Sequence, residues 1–201
     1  REVLGISLKK SEGGTPEIKE YNQEACKTIG PVGTIGDLEF KEYIYSPKGG
    51  GVEIHALKKN GESIKLNLRN FNKTAGFSGE IKGLEAAGGK VGIGPINAYL
   101  DGNNLIPSSS KEVVKNLLKD PPTKEYMDKF EKLWKAYIGT DFNSWFNKAE
   151  PNHKTSRYFA LHVVDALEEA GDKKDELLTD LIQYGASSIK DISAPFAKSG
   201  S

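Results

Sequence analysis

From Gly36 to Phe71, apolar and polar residues alternate with a period of two, and no other stretch of the chain restricts its fold so tightly. Asp37, Glu39, Lys41, Tyr43 and Tyr45 fall on one side of the pattern; Leu38, Phe40 and Ile44 fall on the other. Successive side chains of a strand point to opposite faces, so this spacing predicts a half-buried strand and not a helix. SPKGGG then supplies a flexible turn. Val52, Ile54 and Ala56 next alternate with Glu53 and His55. Asn60-Gly61 is a two-residue hairpin signal, because both residues tolerate positive φ. The return segment sets Ile64, Leu66 and Leu68 inward and Lys65, Asn67 and Arg69 outward. The expectation is an antiparallel three-stranded meander with one apolar and one polar face.

The flanking segments read less sharply. EVLGISLKK, Glu2 to Lys10, also alternates and adds a further strand, and Glu17 to Thr28 fits a short helix with Ile18, Tyr21 and Ala25 inward. Phe71 to Gly79 reads as a loop. The following stretch, Gly79 to Leu100, holds six glycines, and Pro95 can open a short helix over Ile96 to Leu100.

GNNLIPSSS marks the boundary between a β-rich part, 1–104, and a helical part, 105–201. Ser109 and Glu112 have the spacing of a capping box before Val113, Val114, Leu117 and Leu118. Pro121 and Pro122 stop that helix. Tyr126, Phe130, Leu133, Trp134 and Tyr137 then form a helical apolar stripe, followed by the aromatic segment Phe142, Trp145 and Phe146. A long helix from His153 to Ala170 presents Phe159, Val163, Ala166 and Leu167; Gly171 ends it, Asp172 caps the next helix, and that helix buries Leu177, Leu178, Leu181 and Ile182. ISAPFAKSGS reads as a mobile tail. The predicted class is α+β, a mainly antiparallel N-terminal sheet followed by a helical C-terminal part.

Composition narrows the function classes. No apolar run approaches the roughly 20 residues that span a bilayer, and no charged-then-apolar leader opens the chain, so neither membrane insertion nor secretion is expected. Net charge is zero, with 14 Lys and Arg against 12 Asp and Glu in the first hundred residues. That is not the basic body of a protein that coats nucleic acid. Arg1, Arg69 and Arg157 are the only arginines, which argues against extensive readout of bases. Cys26 is the sole cysteine, which excludes an internal disulfide and a thiolate zinc cluster and fits the reducing cytoplasm.

Two segments carry a pattern suited to phosphodiester chemistry. A carboxylate and a lysine two residues apart on a strand point the same way, so both reach one phosphate, and a second acidic group completes a Mg²⁺ site. LEFK, with Glu39 and Lys41, has this spacing, and GISLKK, with Ser7 and Lys9, has a variant of it. Here the chain resembles the PD-(D/E)XK nuclease superfamily, of the kind encoded by phages and viruses. The resemblance covers about the first half of the chain. It implies a Mg²⁺-dependent endonuclease acting on DNA, with Asp37 and Glu39 on the metal and Lys41 or Lys9 positioning water. Arg69, Lys65, Lys82 and Lys90 would then meet phosphates. The family's upstream aspartate has no counterpart before Lys9, and a turn follows Lys41 where the family has a helix.

Each of these features also has a plain reading. A strand with Asp37, Glu39 and Lys41 outward is a solvated face, and glycines beside Lys82 and Lys90 make tight turns. His55, His153 and His162 have no metal-ligand spacing, and His162 fits a satisfied surface or core-edge histidine. The competing function is therefore a non-enzymatic binding or structural module, such as an assembly component.

Overall fold

A computed structural model describes residues 17–20, 36–46, 50–82, 93–139, 141–187 and 197–200. The meander is present and gains a fourth strand. Strands β2 (Leu38–Tyr45), β3 (Val52–Lys58), β4 (Ser63–Asn72) and β5 (Gly76–Lys82) form one antiparallel sheet in the order β2-β3-β4-β5. The class is α+β, as the sequence predicts. The expected two-residue turn at Asn60-Gly61 is instead a three-residue loop, 59–61: Gly61 and Lys58 donate backbone N–H bonds to the Lys58 and Glu62 carbonyls, each at 2.9 Å, and of the two turn residues only Gly61 has a positive φ, 83°.

The fourth strand replaces most of the loop expected over Phe71 to Gly79. Phe77 and Ile81 alternate inward on β5, and Phe71 stays on β4 facing the same core. The connection is a tight turn at 73–75, in which the Asn72 side chain accepts the backbone N–H of Thr74 at 2.8 Å. The high glycine content obscured a strand whose apolar period is intact.

Among the described residues six α-helices follow: α1 (Ile93–Gly102), α2 (Ser110–Leu117), α3 (Lys124–Tyr137), α4 (Phe142–Lys148), α5 (Pro151–Glu169) and α6 (Lys174–Ser187), with a 3₁₀ turn at Gly171–Lys173 before α6. The predicted capping box does not form. Ser109 takes a left-handed conformation, φ 62°, and makes no side-chain cap bond. An N-cap hydroxyl reaches the first turn from an extended backbone, which Ser109 lacks.

Helix α5 is the centre of the molecule. From Thr155 to Val164 every residue is buried, so it has no solvated face. It packs on β3 and β4, with α3 and α6 against it. Ser156 is satisfied within this packing: it donates to the Asn152 carbonyl at 2.7 Å and accepts the Phe71 N–H at 2.8 Å. Phe159 lies flat on Phe71 with ring centroids 3.7 Å apart. A Cβ at Gly50 would stand 2.0 Å from the His153 carbonyl oxygen, so the start of β3 can approach α5 only as glycine. One apolar cluster runs from Leu38 through the sheet and helices to Ile182, joining the β-rich and helical parts in a shared core.

The remaining pair of strands overturns two expectations. Glu17–Glu20 (β1) is a strand where the sequence suggested the start of a helix; it pairs antiparallel with β6 (Ala197–Gly200), within the stretch read as a tail. Periodicity reports local preference, and a pairing across the length of the chain overrides it. The expected strand at Glu2 to Lys10 lies outside the described residues.

Candidate functional site

Strand β2 carries the predicted carboxylate–lysine set, and its geometry departs from a regular strand. The pairing with β3 shifts register between Phe40 and Glu42, a β-bulge centred on Lys41. One extra residue reverses the alternation beyond it. Leu38 and Phe40 face the core before the bulge, whereas Tyr43 and Tyr45 do so after it, and Ile44 is left 43% exposed. The single face expected for Asp37, Glu39, Lys41, Tyr43 and Tyr45 is therefore split. Glu39 and Lys41 remain together, with Lys41 Nζ 2.5 Å from Glu39 Oε1, while Asp37 pairs instead with Lys59 at 2.5 Å. All four side chains are well exposed.

Among the described residues, no group of three or more His, Cys, Asp or Glu side chains is arranged to hold a metal. Lys9 and Lys90 lie outside the described residues.

The outer sheet face gathers the other candidates. His55 on β3 stands between two carboxylates: its Nε2 is 2.5 Å from Glu53 Oε1 and its Nδ1 is 3.4 Å from Glu42 Oε1. Lys65 on β4 reaches Glu53 at 3.8 Å. Arg69 and Lys82 both approach Glu80, at 4.0 and 3.1 Å. Sheet register aligns these groups. Glu42, His55, Lys65 and Lys82 form one cross-strand row, and Ile44, Glu53, Asn67 and Glu80 form the next. Sequence reasoning assembled Glu53, His55, Lys65, Asn67 and Arg69 but missed Glu42 and Glu80. The bulge moved the first onto this face, and the second lies just past the expected loop, where the glycine-rich stretch begins. The Phe77–Ile81 alternation was the signal for the latter.

A second polar cluster lies on the inner side, where the end of β2 meets α3, α4 and α5. Arg157 is buried and donates from Nη2 to the Ser46 carbonyl at 2.6 Å. Its guanidinium lies over the rings of Tyr45, Trp145 and Trp134, at 5.1, 5.7 and 5.8 Å. Burial holds its pKa down to about 10, opposed by Tyr45, so it stays charged at neutral pH. Burial in turn pushes the Tyr45 hydroxyl up to about 12.

Alongside, Lys174 bonds Glu168 at 2.6 Å and lies 4.4 Å from the centre of the Phe40 ring. Burial would raise Glu168, but its bond to Lys174 and the nearby Tyr43 hydroxyl keep it below the usual carboxylate range. The Tyr43 hydroxyl is pushed far above its ordinary value by burial and by Glu168. Tyr137 donates to Asp165 at 2.5 Å. General acid–base catalysis wants groups poised near the working pH, and these are driven away from it.

His162 was expected to be a satisfied core-edge histidine. It is instead 9% exposed, with Nε2 lacking a hydrogen-bond partner. Burial, and then the Lys129 charge, hold its pKa down to about 3.

No protein family, curated protein or solved structure matches this chain. The chemistry of the two clusters therefore has to be read from their own geometry. The outer face is a charge-balanced array at the surface, the inner cluster is a neutral-pH clamp, and no helix among the described residues is long and apolar enough to cross a membrane.

Proposed function

We propose that the chain is a non-enzymatic binding module that docks a protein partner of mixed charge on the outer face of its sheet. One observation carries this reading: Lys65, Arg69 and Lys82 stand among Glu42, Glu53 and Glu80 in registered rows on rigid strands. Such an array orders its side chains before a partner arrives, which lowers the entropic cost of docking. A polyanion requires a surplus of cations, and here each cation already has a carboxylate within reach.

A second reading keeps the nuclease resemblance. The bulge at Lys41 favours it, because bulges recur beside active sites, where they re-aim side chains. In that reading Asp37 and Glu39 hold Mg²⁺, Lys41 orients water, and Arg69, Lys65 and Lys82 meet the DNA backbone.

Incubation with plasmid DNA and Mg²⁺ or Mn²⁺ separates the two. A binding module leaves the plasmid intact with either ion. Metal-dependent cleavage that Glu39→Ala and Lys41→Ala abolish would overturn the binding reading and establish the other.

A further inference from the structure

The outer face is electrically bipolar across the strands. Its β2–β3 half presents Glu42, Glu53 and His55, along with the mutually paired Glu39 and Lys41; its β4–β5 half presents Lys65, Arg69 and Lys82 against the single carboxylate Glu80. The row Glu42–His55–Lys65–Lys82 therefore runs from a carboxylate at one rim of the sheet to an ammonium at the other.

We infer that the partner docked on this face is a second copy of the chain, packed sheet to sheet about a two-fold axis lying along the strands between β3 and β4. The inference rests on reading the face as a binding surface. Such an axis turns the row over onto itself, so the acidic half of each copy covers the basic half of the other. Every favourable contact occurs twice, as an isologous interface requires. Face-to-face sheets pack about 10 Å apart, within reach of long charged side chains from both copies.

Both rims carry exposed charge, with Lys82 paired to Glu80 at 3.1 Å and Glu42 beside His55 at 3.4 Å. The side chains of Glu42 and Lys82 are 61% and 53% exposed. Arg69 is 4.0 Å from Glu80 and Lys65 is 3.8 Å from Glu53, long ion pairs that can exchange for carboxylates of the other copy.

Sedimentation equilibrium of the full chain tests this. The wild type is expected to form a dimer at low salt that dissociates as salt rises. Glu42→Lys sets like charges at both symmetry-related contacts, as does Lys82→Glu. Each is expected to weaken self-association by roughly tenfold or more. Mixing the two variants brings opposite charges together again at both contacts, so a heterodimer of near wild-type affinity is expected.

A wild type that remains monomeric at low salt, or variants whose mixture fails to associate, would overturn the inference. Glu42→Gln and Lys82→Gln, which remove charge without reversing it, give intermediate affinities and serve if a reversal fails to fold. Plasmid cleavage strikes the binding-module reading itself. A monomer that leaves DNA intact strikes only the second copy as occupant.

Discussion

At the scale of single residues, the buried polar groups of α5 divide into satisfied and unsatisfied. Ser156 uses its hydroxyl twice, and Arg157 spreads its charge over three aromatic rings while bonding Ser46. His162 is different. Its ring is buried against Tyr158, with Nε2 unpartnered and Lys129 the charged group that acts on it. The unfolded chain protonates this histidine below pH 6.5, whereas the folded chain keeps it neutral down to about 3. The stability contributed by the neutral ring is thus complete above pH 6.5 and is lost as pH falls toward about 3. The slope from this one group is about 1.4 kcal/mol per pH unit. Thermal melts at neutral pH and near pH 5 check it, with His162→Leu expected to show a clearly shallower decline. Equal acid sensitivity in both proteins would assign the effect to other groups.

At the scale of elements, both rims of the sheet are closed by helix side chains. The N–H groups of Leu38 and Phe40 on β2 donate to Thr179 and Asp175 of α6, at 2.9 and 2.8 Å. On β5, the Asn97 side chain from α1 accepts the Phe77 N–H at 2.8 Å and donates to the Phe77 and Ala75 carbonyls at 2.9 and 3.1 Å. Asn97 thereby stands in for the next strand, and helices α1 and α6 pack on each other to tie the two rims together. Open strand edges invite pairing with other chains, and these contacts block it locally. Asn97→Ala strands the Phe77 N–H and is expected to cost about 1–3 kcal/mol. Chemical denaturation measures this, and Asn97→Asp, which sets a carboxylate oxygen against the Ala75 and Phe77 carbonyls where the amide donates, should not recover the loss at neutral pH.

For the whole molecule, the decisive contact is the sheet against α5. Phe159 is fully buried on Phe71, and the shared cluster leaves no apolar boundary near residue 104 where the chain would divide. Phe159→Ala is expected to destabilise the protein by about 3–5 kcal/mol. Strand and helix signals should still be lost in one transition, followed by circular dichroism during denaturation. Two separated transitions would show that the β-rich and helical parts stand independently.

Alternation alone determined β3, β4 and the facing of Ile54, Leu66 and Leu68, because a period of two is a local property of an extended chain. Helical spacing likewise determined the burial of Phe130, Trp134, Leu178 and Leu181. Local signals ended where neighbours decided the outcome. The bulge at Lys41 reversed Tyr43, Ile44 and Tyr45, which brought the Tyr45 ring under Arg157 and the Tyr43 ring to 6.0 Å from Lys174. Pairing with β4 made a strand of a glycine-rich segment and brought Glu80 beside Arg69 and Lys82. The polar residues of the outer face were legible one strand at a time. Their division into an acidic and a basic half was not, because it depends on strand order and register, which only the folded sheet defines.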